Sequence, residues 1–270
     1  MAINDITLAG GMRDNLVSLQ MVAALQARTT ERLSTGKAVN SAIDDPSAYF
    51  AAQNAMNRAN DLSTRKDDMG EAIQTVKAAL QGIDGITNLI QQAKGLAASA
   101  LSATTADRAT LAQQFDALRT QIDQLAGDSS YKGTNFLKSG NLTVQFNEAA
   151  SSSLTITGFD ATSTGLGIAA STNAWAGDAD ISAASTSLDN ALNTLRTDAQ
   201  TLSSSNGVIT TRQDFTTNLI NTLTTGADQL TAADTNQEGA NMLALQTRQQ
   251  LGVVALQLSS QAQQSILRLF

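Results

Sequence analysis

The chain has 270 residues, 42% of them hydrophobic but only 4% aromatic, with a formal charge of −7 and neither cysteine nor histidine. This content supports a buried core, but one built from narrow Ala- and Leu-rich helix seams rather than from aromatic rings. The composition excludes disulfides, Cys/His metal sites and the usual near-neutral general base, and an acidic chain without a basic stripe offers no footprint for nucleic acid or for polybasic attachment to a membrane.

Residues 1–11 lack the basic and apolar segments of a cleaved secretory signal. No apolar run reaches the length of a membrane span. Taken alone, these features predict a soluble cytoplasmic protein with no cofactor, metal or catalytic site.

The first predicted helix carries a row at Leu16, Leu19, Ala23, Gln26, Thr30 and Leu33, in steps of three and four. Its polar members make it a weak seam. Gly36 suits the position just past a helix end. Asp45 reads as the N-cap of the next helix and Pro46 as its first residue.

A longer row follows without a break: Leu62, Lys66, Met69, Ile73, Val76, Leu80, Ile83, Thr87, Ile90, Lys94 and Ala97. At 1.5 Å per residue it spans roughly 50 Å, far beyond the usual helix of about 12 residues. Leu111, Phe115, Leu118, Ile122 and Leu125 mark a further helix ending near Gly127-Asp128. Between residues 128 and 178 the pattern changes. Leu142–Phe146 and Leu154–Thr157 alternate apolar and polar residues, as half-buried strands do.

Helical spacing returns at Ile181, Leu188, Leu192, Leu195, Ala199 and Leu202, and again in a separate helix from about Val208 through Phe215, Leu219 and Leu223 to Leu230. The last helix holds Leu251, Val254, Leu258, Ala262 and Ile266 and runs to Leu269-Phe270. The predicted fold is mainly α: a long antiparallel helical rod, coiled-coil-like, with a small β-hairpin segment in the middle of the chain. Its core consists of Leu62, Met69, Ile73, Val76, Leu80, Ile83, Ile90, Leu111, Phe115, Leu118, Ile122, Leu188, Leu192 and Leu195. The two ends meet, and their seams are too short and polar to stand alone. They are expected to pair with each other and with other copies of the chain through Leu16, Leu19, Ala23, Leu33, Leu251, Val254, Leu258, Ile266 and Phe270.

The carboxylate pairs Asp44-Asp45 and Asp67-Asp68 read as a helix cap and a solvated face. Without His there is neither a Ser/His/Asp triad nor a His-Glu-x-x-His metal motif. Gly82 and Gly85 fall inside a helical row and form no phosphate loop. The Ser/Thr-rich run Thr143–Thr172 is either a plain solvated region or an acceptor of sugars.

Arg32-Leu33-Ser34-Thr35-Gly36-Lys37 followed by Asn40-Ser41-Ala42-Ile43-Asp44-Asp45-Pro46 resembles the N-terminal signature of bacterial flagellins. Gly239-Ala240-Asn241-Met242, Leu245 through Gly252, and Ser265 through Phe270 resemble the C-terminal signature. Tyr131 through Leu137 is similar to the family's Phe-Asn-Gly turn, with Tyr and Lys at its first two positions. The resemblance implies a structural subunit, not an enzyme, that self-assembles into the filament of the bacterial flagellum. It implies an extracellular location reached without a cleaved signal, which overrides the cytoplasmic expectation. The implied partners are other copies of the chain, other flagellins, the export apparatus and a chaperone, and the filament cap and hook-junction proteins. It also implies a division into an inner-tube domain from residues 1–45 and 230–270, and a rod from 46–229 carrying a β segment at about 128–178. A hook–filament junction protein and a non-polymerising coiled-coil adaptor remain the alternatives.

Some flagellins are detected by a Toll-like innate immune receptor. Aligned with the recognised Leu-Gln-Arg-Val-Arg-Glu-Leu-Ala stretch, Ile90–Ala97 places Gln92 at the key Arg and Gly95 at the Glu. Gln114 stands in for a contacting Glu on the next helix. Lys94 and Leu96 are similar or kept. The resemblance therefore implies weak recognition.

Overall fold

The computed structural model describes residues 10–267. Five long helices and one hairpin follow in order: α1 (Gly10–Thr35), α2 (Pro46–Leu101), α3 (Thr105–Asp128), β1 (Asn141–Gln145), β2 (Ser153–Thr157), α4 (Asp178–Thr231) and α5 (Thr235–Leu267). The chain divides into two compact units, one from residues 1–57 and 223–270, the other from 58–222.

In the larger unit, the α2 seam repeats every seven residues at two positions. Met69, Val76, Ile83, Ile90 and Ala97 form one column, and Ala72, Ala79, Ile86, Ala93 and Ala100 the other, all buried. The steps run three then four, so half of the row expected from the sequence lies beside the seam. Leu80 is a half-buried flank packed on the core, and Lys94 is tied to Asp189 at 2.5 Å. The reason is side-chain size. Ala in the second column lets a neighbouring helix approach closely, and the larger Leu80 packs around that contact rather than within it. Gly82 and Gly85 serve the same end. A Cβ on Gly82 would lie 2.6 Å from Leu137 Cδ1 and one on Gly85 would lie 2.7 Å from Leu125 Cδ2.

On α4, Ile181, Leu188, Leu195, Leu202 and Ile209 recur every seven residues and are buried, and Thr216 extends the column. The expected break near Ser203–Gly207 does not occur, so the two predicted helices are one. Ser, Asn and Gly there have poor helix propensity, but Leu202 and Ile209 on either side are packed, and packing outweighs propensity. The same register turns Phe215, an expected seam residue, outward, with 59% of its surface exposed.

Thr104 caps the start of α3, its hydroxyl accepting from Asp107 N at 3.3 Å. The strands are antiparallel, with Leu142 opposite Ile156 and Val144 opposite Leu154. Val144 and Ile156 point into the core, while the Thr143 and Thr155 hydroxyls meet outside at 3.0 Å. One face of α3 grips the segment after β2. Asp123 accepts from Ser163 N and Oγ, Arg119 donates to Ile168 O, and Asp116 accepts from Ser171 N and Oγ. Thr162 and Ser163, within the Ser/Thr-rich run, are buried. Asn173, Ala174 and Trp175 then form a turn with φ of 47°, 47° and 59° that drops Trp175 onto Phe115, ring centroids 5.0 Å apart.

In the smaller unit, Gly36 (φ 68°) ends α1 in the left-handed conformation that Gly adopts without steric cost. Ala38 N donates to Thr231 O at 2.7 Å and Ala233 N to Gly36 O at 2.9 Å, fastening the loop after α1 to the end of α4. Asp45 Oδ1 accepts from Ala48 N at 3.0 Å and caps α2. Asp234 Oδ1 accepts from Asn236 N and Gln237 N and caps α5.

Candidate assembly surface

α1 and α5 lie antiparallel. Arg32 meets Glu238 at one end, Leu19 meets Gly252 midway, and Met12 and Leu16 lie near Leu256 and Ser260 at the other end. The contact between the helices is thin. Val22, Thr29, Glu238 and Leu245 are the buried residues along it. At Gly252 a Cβ would come within 2.6 Å of Leu19 Cδ2, so the absent side chain makes the hole that Leu19 fills.

Arg32 Nη1 donates to Glu238 Oε1 at 2.9 Å, with the two side chains only 24% and 10% exposed. The Arg32 guanidinium, aided by Asn241 and Thr29, holds the Glu238 carboxyl below its usual range. Arg32 Nε is buried without a hydrogen-bond partner, so a single N–H carries the contact.

Apolar side chains remain exposed on both helices. On α1, Leu16 and Leu25 are exposed at the margins of the contact with α5, and Val17 and Met21 are exposed as well; on α5, Leu243, Leu251, Val253, Val254 and Leu258 are exposed. Leu251, Val254 and Leu258 of the expected seam are thus exposed and lie outside the buried contact between α1 and α5. The α1–α5 contact uses Glu238, Leu245, Gly252 and Leu256, a different face of α5, where Gly252 leaves room for Leu19. Leu19 and Leu33 are half-buried, and Ala23 is exposed. Phe270 lies outside the described residues, as does the side chain of Ile266.

In the larger unit, Leu62, Met69, Ile73, Val76, Ile83, Ile90, Phe115, Ile122, Leu188, Leu192 and Leu195 are buried, and Leu80, Leu111 and Leu118 pack partly buried around them. Gln92, Gly95 and Gln114 are exposed on α2 and α3, and Leu96 packs on the core. The sequence reading missed the Arg32–Glu238 pair and the Leu19–Gly252 contact. A signal was present in Glu238, the one acidic residue in the first turn of α5, but its partner lies 206 residues away.

Among the described residues no group of His, Cys, Asp or Glu is arranged to hold a metal ion, and no helix is long and apolar enough to cross a membrane. The family model of the bacterial flagellin N-terminal helical region matches residues 3–143. Flagellin FljM of Caulobacter vibrioides is 32% identical, with all of both chains covered, and flagellin FljO of the same organism is 31% identical over the same extent. A flagellin of Brucella melitensis is 29% identical over 94% of this chain and 96% of its own. The crystal structure of Bacillus cereus flagellin superposes with a TM-score of 0.49 at 20% identity, covering 55% of this chain and 88% of that one. The chain belongs to the bacterial flagellin family and is a structural subunit that self-assembles into the flagellar filament.

Proposed function

We propose that assembly is carried by the outward apolar rows of α1 and α5, in which Leu16, Leu251, Val254 and Leu258 meet other copies of the chain. The observation behind this is that α1 and α5 already contact each other, yet each keeps apolar side chains exposed, Leu16 at the margin of that contact on α1 and Leu251, Val254 and Leu258 on α5. Contiguous exposed apolar surface of this kind marks interaction sites. Each leucine contributes roughly 2 kcal/mol when buried, and a polymer repeats that gain at every subunit. In this reading residues 1–45 and 230–270 form the inner-tube domain and 46–229 the rod. The proposal also assigns Ile266 and Phe270 to the assembly seam. The chain reaches the outside through the flagellar export apparatus, with a chaperone and without a cleaved signal, and adds beneath a filament cap beyond the hook-junction proteins. Two Caulobacter relatives of equal span support mixed filaments with other flagellins as a further partnership.

Electron microscopy of the purified chain under seeding tests the reading. The parent forms long tubes, whereas Leu251→Asp and Leu258→Asp do not, with the circular dichroism of their monomers unchanged. Normal tubes from either variant overturn the role of this row. A parent that never elongates seeds points instead to a junction protein or an adaptor.

The exposed Gln92 and Gln114 support weak recognition by the innate receptor, since losing a desolvated Arg contact costs about 2 kcal/mol or more, near thirtyfold in affinity. A cell reporter assay is expected to show low potency that Gln92→Arg with Gln114→Glu raises.

A further inference from the structure

Ile43 is 94% exposed, the largest exposure among the large hydrophobic residues of the described chain. It sits in the loop between α1 and α2, and that loop is not slack. Asp44 Oδ2 accepts from Asn40 N, Ser41 N and Ser41 Oγ, at 3.2, 3.0 and 3.0 Å. Asp45 caps α2 directly behind it. The loop is therefore built to hold an aliphatic side chain out in water, where it gains nothing.

In the same unit lies a cleft of about 190 Å³. Val39, Tyr49, Ala52, Met56 and Ala227 supply its apolar lining, with Lys37 and Asp228 among the remaining residues. It is smaller than the roughly 300–1,000 Å³ of small-molecule sites, and it has room for a single aliphatic side chain. Lys37 makes no ion pair among the described residues. The residues following Ile43 are Asp44 and Asp45, and hydrogen bonds from Ser41 hold the Asp44 carboxyl below its usual range, keeping it charged.

We propose that Ile43 of one copy seats in this cleft of a second copy, with Asp44 and Asp45 drawn to Lys37 on its rim. The proposal rests on the filament reading above and names one contact within it. The loop that carries Ile43 also supplies Lys37, Val39 and Asn40 to the cleft wall. Repeated from copy to copy in one direction, the contact propagates into an open helical polymer rather than closing as a two-fold dimer, and the ladder described below distinguishes the two. The size of the cleft, its apolar residues and Lys37 favour this occupant, while Asn40, Gln53, Asp228 and Thr231 make the rest of the lining polar.

The chain has no cysteine, so an engineered pair can report the contact without background. Filaments grown from Ile43→Cys/Met56→Cys copies are oxidised and run on a denaturing gel. The expected result is a ladder of covalent dimers, trimers and longer species from filaments, absent from oxidised monomers and from either single variant. Incorporation of the double variant into filaments without a ladder overturns the contact and leaves the filament reading intact. Failure of the parent to elongate seeds overturns the filament reading, and the contact with it. Should the double variant not incorporate, growth rates decide. Ile43→Ser is expected to slow elongation at least about tenfold, and Ile43→Val, which keeps most of the apolar surface, by no more than about threefold. Equal growth of Ile43→Ser and parent overturns the proposal.

Discussion

Arg108 Nη2 lies 2.7 Å from Asp178 Oδ1, but the carboxylate is 72% exposed while the guanidinium is 14% exposed. The other bonds of Arg108 explain the asymmetry. Its nitrogens donate to Leu101 O at the end of α2, to Ala103 O in the turn before α3, and to Ala176 O just before α4. One side chain thus satisfies carbonyls at the meeting of three helix ends. Each such hydrogen bond contributes about 0.5–1.5 kcal/mol net, whereas an exposed ion pair contributes about 0–1 kcal/mol. Arg108→Ala is therefore expected to destabilise the protein by roughly 2–3 kcal/mol, and Asp178→Asn by less than about 0.5 kcal/mol. Thermal melts followed by circular dichroism compare the two, and equal losses contradict the assignment.

The Arg32–Glu238 pair sets a dependence on acid. The folded carboxyl titrates below its ordinary value because Arg32 donates to it, while in the unfolded chain a Glu titrates near 4.3, about its reference value. A depressed folded pKa contributes stability that is fully present above the unfolded value and is lost as pH falls through the folded one. The stability difference between parent and Glu238→Gln is thus expected to be constant from neutral pH down to about 5 and to vanish on further acidification. Denaturant melts across that range measure it. A difference that grows on acidification has the wrong sign for this mechanism.

The α2 seam separates what the sequence made legible from what it did not. The column of Met69, Val76, Ile83 and Ile90 is visible as a heptad of large apolar residues. Its companion, Ala72, Ala79, Ile86, Ala93 and Ala100, is mostly Ala, and Ala looks alike on buried and exposed helix faces. Leu80, being larger, drew the row one residue aside. Burial predicts a clear ordering. Ile86→Ala is expected to cost about 2–5 kcal/mol, as fully buried aliphatic truncations do, and Leu80→Ala distinctly less. Ala79→Leu is expected to cost about 1–3 kcal/mol by overpacking. Urea melts rank the three, and an Ala79→Leu variant as stable as the parent would show that the helices do not close there.

The hairpin was readable because period-two alternation is local. The segment after it was not, since Asp116, Arg119 and Asp123 hold it through bonds to backbone atoms 40 to 55 residues away. The candidate assembly surface shows the same division. The exposed leucines of α5 stand out in the sequence, but nothing local reveals that α1 takes the other face, because that choice depends on a missing side chain at Gly252 facing Leu19.

Asp198 lies one heptad beyond the buried Ala191 and two beyond Ala184, on the flank of the α4 column. It has no ion pair or side-chain hydrogen bond among the described residues, and desolvation raises its pKa. For an acid with a raised folded pKa, the favourable contribution is fully present below the unfolded value, about 3.9, and is lost as pH rises through the folded value. At neutral pH the carboxylate is therefore a net burden. Asp198→Ala continues the alanine column and improves helix propensity, for an expected gain of about 0.5–1 kcal/mol at pH 7. The propensity part does not depend on pH, whereas the desolvation part disappears once Asp198 is protonated in both states. The gain is thus expected to be larger at pH 7 than at about pH 3, measured as the difference between parent and variant melts. A gain of the same size at both values assigns the whole effect to propensity and removes the desolvated carboxylate from the account.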